Sequence, residues 1–491
     1  MSLQLAPPVL AGPAAPPPVH RPIGGVQPRF GRLAAVLAIG VLIWVLPHPD
    51  GIDPRAWRML AIFVATVVSI IVKPLPMGAM AILGIAAALS TGTLTLGEAL
   101  SGFANGTVWL VMAAFSIAAG FIKTGLGRRI AYRLVALCRG STLGLSYSLL
   151  ATDFILAPAI ASNTARLGGV IFPILQSICK TVLETDPAGG RRTSAFLTLT
   201  ALHSNIVTST MFLTAIATNP LAAQFAANQG ITITWSLWAS AAVVPGVISL
   251  AIVPLLISRL CPPGSLRIPN APELARAALR ELGPMRRNEW LMAVISLALL
   301  CAWILGSATG LDSTIAALVG LSALLVTGVL SWDDICRDHE AWNTFVWFAT
   351  LLMMATFLGQ FGLIKWFSGH VGVLFTGMGW VTSFLGLSLT YFYSHYFFAS
   401  TTAHVSAMYG PFLAVALTAG APPLLAALVL GFFSSLYMGL THYATAPAPI
   451  LFGSGYVPLR TWWSVGAVLS VVYIAIWIGI GVPWLRVLGV W

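Results

Sequence analysis

Long apolar runs separated by short polar breaks constrain the fold of this chain more than any other feature. Runs of roughly 14 to 23 residues occur at 33–46, 57–72, 235–257, 291–305 and 464–480, near the length that an α-helix needs to cross a bilayer. Only 8% of the 491 residues are charged, whereas soluble proteins carry about 25%. The sequence therefore predicts an all-α polytopic membrane protein that lies in the lipid bilayer.

The formal net charge of +11 does not indicate a nucleic-acid partner, because the basic residues lie between apolar runs and not on one polar face. The eight histidines and five cysteines show no metal-ligand spacing, so we expect no metal and no cofactor. HExxH, GxSxG and GxxxxGK[ST] motifs do not occur. This argues against an intramembrane enzyme and a self-contained ATP-driven pump.

The N-terminal residues differ from the rest in composition. Residues 1–31 contain eight prolines and no acidic residue, which predicts a disordered cytoplasmic tail. An organelle transit peptide is the alternative, since such leaders are also poor in acidic residues and contain arginine. The first transmembrane helix is predicted at 32–49.

An internal repeat organises the remaining chain. Residues 161–173 read ASNTARLGGVIFP and residues 399–411 read ASTTAHVSAMYGP, at an offset of 238. The apolar stretches 107–126 and 344–363 have equal lengths and are separated by nearly the same offset, 237. We therefore predict two homologous halves, 50–260 and 288–491, joined by a basic cytoplasmic linker at 261–287.

Basic residues indicate that the two halves cross the membrane in opposite directions. The segment ahead of the first motif carries five basic residues, whereas the equivalent segment of the second half, 363–384, holds only Lys365. The loop 331–341 should also be cytoplasmic but contains one arginine and four acids. Because the side richer in Lys and Arg is normally cytoplasmic, we predict inverted repeats with a cytoplasmic N-terminus. The basic residues ahead of the first motif are Lys123, Arg128, Arg129, Arg133 and Arg139.

Each motif is predicted to form the tip of a re-entrant helical hairpin, because polar residues at membrane depth need protein or water around them. The arms would be 143–161 and 165–178, and 385–399 and 403–417. Hydroxyl and amide donors beside the free N–H groups of a helix start suit a carboxylate, and two facing tips suit a dicarboxylate. The alternative is that these side chains only cap helices. The candidate substrate-binding residues are Ser162, Asn163, Thr164, Ser400, Thr401 and Thr402.

Two further polar stretches begin 46 residues after the first tip serine and 45 residues after the second. Broken helices beside a midplane site are typical of transporters built from inverted repeats, so we predict that both stretches interrupt helices and contact the substrate. For the first stretch, the alternative is that its hydroxyls bond to their own helix. The candidates are Thr208, Ser209, Thr210, Thr445 and Pro447.

At these residues the chain resembles the divalent anion/sodium symporter family. APAIASNTAR (157–166), SHYFFASTTAHVSAMYGPF (394–412) and THYATAPAPILFGSGYV (441–457) are most similar to the branch of bacterial citrate/succinate and tartrate/succinate antiporters and plastid 2-oxoglutarate/malate translocators. The resemblance covers nearly the whole chain after residue 32. It implies about eleven transmembrane helices plus two re-entrant hairpins, a homodimer, and an elevator-type transport domain that carries the tips. The implied substrates are succinate, malate, 2-oxoglutarate, citrate or tartrate, and the implied location is the cell inner membrane.

Several departures from the symporter pattern concern sodium. Thr401 stands where symporters have Asn, and the Thr-Pro-Pro-Asn type motif after each tip is missing. Arg166 and His404 occupy the same position, four residues after the tip serine. Because an ionisable residue within a membrane indicates a function, each is predicted to place a positive charge where a symporter holds sodium. The alternative for Arg166 is an ion pair with Asp153. We expect sodium-independent exchange of di- or tricarboxylates, with sodium-coupled symport as the alternative.

Overall fold

The computed structural model describes residues 29–373 and 377–491. Every regular element within these ranges is helical, apart from one isolated bridge between Ser141 and Arg267. The prediction of an all-α fold is confirmed. The predicted tail lies outside the described residues except for its last three positions.

Twelve α-helices form the first half and the linker. They are α1 (Phe30–Val45), α2 (Pro54–Val72), α3 (Met77–Ser90), α4 (Leu96–Leu100), α5 (Gly106–Thr124), α6 (Leu126–Ala136), α7 (Thr142–Leu156), α8 (Phe172–Thr185), α9 (Pro187–Met211), α10 (Thr218–Ala227), α11 (Trp235–Leu260) and α12 (Asn270–Leu282).

Twelve more are described in the second half. They are α13 (Arg287–Thr309), α14 (Ser313–Val326), α15 (Trp332–Cys336), α16 (His339–Gln360), α17 (Leu363–Gly372), α18 (Trp380–Tyr393), α19 (Thr401–His404), α20 (Gly410–Thr418), α21 (Pro423–Leu436), α22 (Ala448–Gly453), α23 (Leu459–Ile476) and α24 (Val482–Val487).

The first predicted span, 32–49, is displaced and too long at its end. Helix α1 begins two residues earlier, at Phe30, and ends at Val45. Leu46 is already extended, with ψ 139°, because the proline that follows disfavours helical backbone at the residue before it.

Seven helical segments are long and apolar enough to cross a membrane, and five shorter apolar helices accompany them in the described ranges. When α9 and α10 count as one interrupted span, and α21 and α22 as another, the described helices group into eleven spans and two hairpins. The spans are α1, α2, α3, α5, α9 with α10, α11, α13, α14, α16, α21 with α22, and α23.

The two halves show the same order of elements up to their hairpins. Gly125 (φ 78°) directly follows α5, and Gly362 (φ 85°) comes two residues after the end of α16. Both glycines adopt the left-handed conformation that residues with a Cβ disfavour. At each glycine the chain turns into a shorter helix, α6 or α17, and a hairpin follows.

The basic linker at 261–287 is helical over much of its length. Helix α12 packs against α6, and Arg129 of α6 donates to the Glu289 carboxylate and to the Gly283 carbonyl, each at 2.7 Å. Both charged side chains are buried. The linker and the start of α13 are therefore fixed to the helix that leads into the first hairpin.

Candidate functional site

The first hairpin turns at 157–162, so its turn begins before the predicted tip, and Asn163 and Thr164 already lie in the first helical turn of its return arm. Its entering arm is α7, and its return arm continues through a wider, π-helical segment at Ala165–Ile171 into α8. Ser162 accepts a hydrogen bond from the Ala165 N–H at 3.1 Å. It therefore caps the return arm, as the alternative interpretation of the tip expected.

The second hairpin repeats this geometry. Its entering arm is α18, and its return arm consists of α19, a π-helical segment at Val405–Tyr409, and α20. Ser400 accepts from the Ala403 N–H at 3.3 Å, three residues on, as Ser162 does. π-Helical turns occur frequently at functional sites, and here one follows each tip.

The two tips converge on one non-helical loop, 440–447, which follows α21. From the first tip, the Asn163 amide donates to the Thr445 hydroxyl at 3.2 Å. From the second, the Thr401 hydroxyl donates to the carbonyl of the adjacent residue, Ala444, also at 3.2 Å. Two hairpins more than 230 residues apart in sequence are thus held against neighbouring residues of one loop.

Donors remain available at this junction. The hydroxyls of Thr164 and Thr402 are half-buried, and neither has a hydrogen-bond partner among the described residues. The first backbone N–H groups of each return arm also have no partner within their helix, and they lie at its positive end. The tips therefore present two sets of donors suited to carboxylate oxygens.

Thr401 and Pro447, which were predicted to contact the substrate, make contacts within the protein. The Thr401 hydroxyl already donates its proton to the Ala444 carbonyl, so it joins the tip to the loop. Pro447 has no N–H and serves as the N-cap of α22. Its carbonyl accepts from Ile450 and Leu451. Pro447 therefore shapes the loop and offers no donor to a carboxylate.

Arg166 is fully buried behind the first tip. Its guanidinium pairs with Asp153 at 3.1 Å, as the alternative interpretation of this residue expected. It also donates to the carbonyls of Ile160 and Ala215 and to the Ser209 hydroxyl. The charge of Arg166 is thus compensated within the protein by Asp153.

Asp153 is equally enclosed. Its carboxylate accepts from the Asn205 amide at 3.1 Å and from the Thr208 hydroxyl. A buried ion pair needs additional hydrogen bonds of this kind to offset the cost of removing two charges from water. Helix α9 supplies them, so it is joined to both arms of the first hairpin.

The predicted break at Thr208, Ser209 and Thr210 lies a few residues too early. All three residues belong to α9, which continues to Met211, and all three are fully buried. The α-helix is interrupted at 212–217, where the chain forms only a short 3-10 turn at Leu213–Ala215. Thr208 and Ser209 bond to the Asp153–Arg166 pair, and the Thr210 hydroxyl bonds to the Ile206 carbonyl of its own helix. These residues therefore hold the hairpin in place and are closed off from solvent.

His404 differs from Arg166 in its surroundings. Its two ring nitrogens lie 3.0 Å from the Ser394 hydroxyl and 3.1 Å from Nδ1 of His395. Its ring stacks between Tyr391 and Phe398, with centroids at 4.8 and 4.6 Å. No carboxylate pairs with it among the described residues. The equivalent positions of the two halves thus hold a compensated guanidinium and an imidazole without an acidic partner.

A large apolar cavity of about 1090 Å³ lies on the other side of the second hairpin, between its return arm and α2, α16 and α17. Lys365 is the only charged residue that lines it, and none of the tip residues does. The cavity is lined mainly by apolar side chains and is therefore distinct from the junction at which the two tips meet.

One charged residue at the first tip, Glu340, was not predicted from the sequence. Glu340, in the first turn of α16, accepts a hydrogen bond from the Ser162 hydroxyl at 3.1 Å. The two residues are 178 positions apart, and the repeat has no acid at the equivalent position of the first half. No local pattern could have paired them.

A family model described as the sodium:sulfate symporter transmembrane region matches residues 27–491. The chain is 50% identical over 462 residues to the putative malate transporter YflS of Bacillus subtilis, which covers 94% of this chain and 96% of that protein. It is 46% identical to the chloroplastic dicarboxylate transporter 1 of Spinacia oleracea, covering 95% and 83%. It is 36% identical to the inner membrane protein YbhI of Escherichia coli, covering 94% and 98%.

Among solved structures, the chain is similar to the antimetabolite efflux pump MtrF of Neisseria gonorrhoeae. The TM-score is 0.54 over 92% of this chain and 97% of that one, with 13% sequence identity. At that identity, the similarity concerns the fold alone.

Proposed function

Because this chain belongs to the divalent anion/sodium symporter family, we propose that it is a secondary transporter that exchanges di- or tricarboxylates without sodium. The names of the malate and dicarboxylate transporters to which it is similar support this substrate class. The candidates remain succinate, malate, 2-oxoglutarate, citrate and tartrate.

The convergence of the two tips carries the proposal. Asn163 and Thr401 bond to adjacent residues of the same loop, so the donors of both hairpins face one space. One carboxylate bound at each helix start would use both sets of donors. A molecule with a single carboxylate would leave one set without its partner.

The oxygen atoms around Arg166 support sodium independence. Carbonyls of unwound segments coordinate sodium in transporters of this architecture. Here the carbonyls of Ile160 and Ala215 and the hydroxyl of Ser209 instead accept hydrogen bonds from the guanidinium. Arg166 fills a position where a cation would bind, while Asp153 keeps the position neutral. His404 holds the equivalent position of the second hairpin and would place a positive charge there when it is protonated, without a paired acid among the described residues.

Sodium-coupled symport is the second candidate, and the description of the matching family model favours it. It requires cation sites built from oxygen atoms. At the first hairpin, the carbonyls of Ile160 and Ala215 and the Ser209 hydroxyl are already bonded to Arg166. Exchange is therefore the better account of this chain.

An elevator movement fits the division of the helices. The frame would consist of α1–α5 and α13–α17, and the carrier of α7–α11 and α18–α24, which include both hairpins. We place the protein in the cell inner membrane with a cytoplasmic N-terminus, as a homodimer associated through the frame.

A direct test of the two-tip site compares succinate with succinamate, which has the same chain length but one carboxylate. Succinate binding to the purified protein should be about 10- to 100-fold tighter, because a charge-assisted hydrogen bond contributes about 1.5–3 kcal/mol. Isothermal titration calorimetry measures both affinities. Equal affinity for the two compounds would contradict a site with one carboxylate at each tip.

The orientation of the halves can be tested by labelling. Arg133→Cys in α6 and His370→Cys in α17 place exposed cysteines on equivalent elements, in a background without the five native cysteines. An impermeant maleimide should label position 370 in intact cells and position 133 only after permeabilisation, since the basic flank is cytoplasmic. Labelling of both positions from one side would rule out the inverted arrangement.

A further inference from the structure

Glu340 stands out because it is an acid of the frame that contacts a tip residue of the carrier. It lies in the first turn of α16, where the positive end of the helix favours a carboxylate. Its Oε1 atom accepts the Ser162 hydroxyl proton at 3.1 Å. The Ser162 side chain is buried whereas Glu340 is exposed, so the carboxylate contacts the junction of the substrate donors from its exposed edge.

The carboxylate of Glu340 has no cationic partner. The five ion pairs found among the described residues do not include it, and Ser162 is the only described side chain that donates to it. Its neighbour Asp338 is also acidic, and burial raises the pKa of that carboxyl above its ordinary value. Because a single neutral hydroxyl donates to this carboxylate and no cation pairs with it, another carboxylate can readily replace it at Ser162.

This contact also joins the two sets of helices. Three side-chain hydrogen bonds connect the frame to the carrier in the described part of the chain. Two are between neutral groups, Thr107 with Gln224 at 2.7 Å and Asn228 with Thr356 at 3.0 Å. Only the third, between Ser162 and Glu340, involves a charge and a tip residue.

We propose that Glu340 is a tethered carboxylate that occupies the first tip while the carrier is empty and is displaced by a carboxylate of the substrate. A serine hydroxyl has one proton to donate, so Ser162 cannot serve both carboxylates. A substrate carboxylate at this tip would also repel Glu340 electrostatically. Loading would thus break the one charged link between carrier and frame, whereas an empty carrier would keep it.

This inference rests on the proposed function, and it supplies a reason for obligatory exchange that Arg166 does not. Because Asp153 compensates Arg166, that residue adds no net charge to hinder movement of an empty carrier. The Glu340 contact hinders it instead. A carrier that has released its substrate would remain in place until another dicarboxylate removes Glu340 from Ser162.

The test uses Glu340→Ala and Glu340→Gln in the full-length protein in proteoliposomes. Vesicles loaded with labelled malate are diluted into buffer without dicarboxylate, and net efflux is compared with efflux into external malate. We expect both variants to retain exchange and to show net efflux several-fold above that of the unmodified protein. Binding of malate should tighten by about 3- to 10-fold in Glu340→Ala, since a competing hydrogen bond is removed.

Asp333→Asn is the matched control, because Asp333 is an exposed acid of the preceding segment whose partner is Arg337. It should change neither net efflux nor affinity. If both Glu340 variants exchange malate normally without net efflux or tighter binding, or if they bind malate more weakly, the role of Glu340 is refuted. Failure of the unmodified protein to bind any dicarboxylate would instead refute the proposed function.

Discussion

Replacing Arg166 with alanine is expected to make this transporter respond to sodium. The change would leave the buried Asp153 carboxylate without its partner, which costs about 3–5 kcal/mol. It would also free the carbonyls of Ile160 and Ala215 and the Ser209 hydroxyl, which are oxygen ligands of the kind that hard cations prefer. Sodium bound there would restore the charge balance.

The measurement is the unfolding temperature of the purified variant, with exchange activity, in NaCl and in choline chloride. Arg166→Ala should be strongly destabilised in choline and recover in sodium, whereas the unmodified protein should not distinguish the salts. The double variant Arg166→Ala/Asp153→Asn is the control, because it has no buried charge to compensate and should gain no sodium response. A well-folded, active Arg166→Ala protein that is indifferent to sodium would contradict this assignment.

The second large effect is expected at the tip hydroxyls. Thr164 and Thr402 have no partner among the described side chains, so replacing either with valine removes a donor without breaking an internal bond. Each variant should weaken dicarboxylate binding by about 10- to 100-fold, as the loss of a charge-assisted hydrogen bond predicts. Asn163→Ala should weaken it too, but that change also removes the bond to Thr445.

Thr418→Val provides a matched control in the second hairpin, because the Thr418 hydroxyl bonds to the Ala414 carbonyl of its own helix. Its affinity for malate should equal that of the unmodified protein. Unchanged affinity in both Thr164→Val and Thr402→Val would remove these hydroxyls from the substrate site.

The spans and the hairpin tips could be predicted from the sequence for physical reasons. Continuous apolar runs identify segments that face lipid, and the duplicated motif located both turns to within a few residues, because the turns end at Ser162 and Ser400 and the residues after them begin the return arms. A single Ser-Asn-Thr sequence would not have distinguished a site from a cap. In the structure both serines do cap their helices, so the capping and binding interpretations are compatible and not exclusive.

Contacts between residues that are far apart in the sequence were harder to predict. The Arg166–Asp153 pair spans only 13 positions and was weighed as an alternative, but its enclosure by Asn205 and Thr208 depends on how α9 packs. The break after α9 falls at 212–217 and not at Thr208, since helix propensity alone does not locate where tertiary contacts end a buried helix. The Glu340 contact requires both halves to be assembled, and no local pattern contains it.

The central claim, sodium-independent exchange, is tested most directly by uptake of labelled malate into proteoliposomes that contain unlabelled malate or no dicarboxylate. Each is measured with an inward sodium gradient and with choline in its place. We predict rapid uptake into the malate-loaded vesicles, negligible uptake into the empty ones, and no effect of sodium on either. Robust sodium-driven uptake into empty vesicles would contradict exchange and establish sodium-coupled symport.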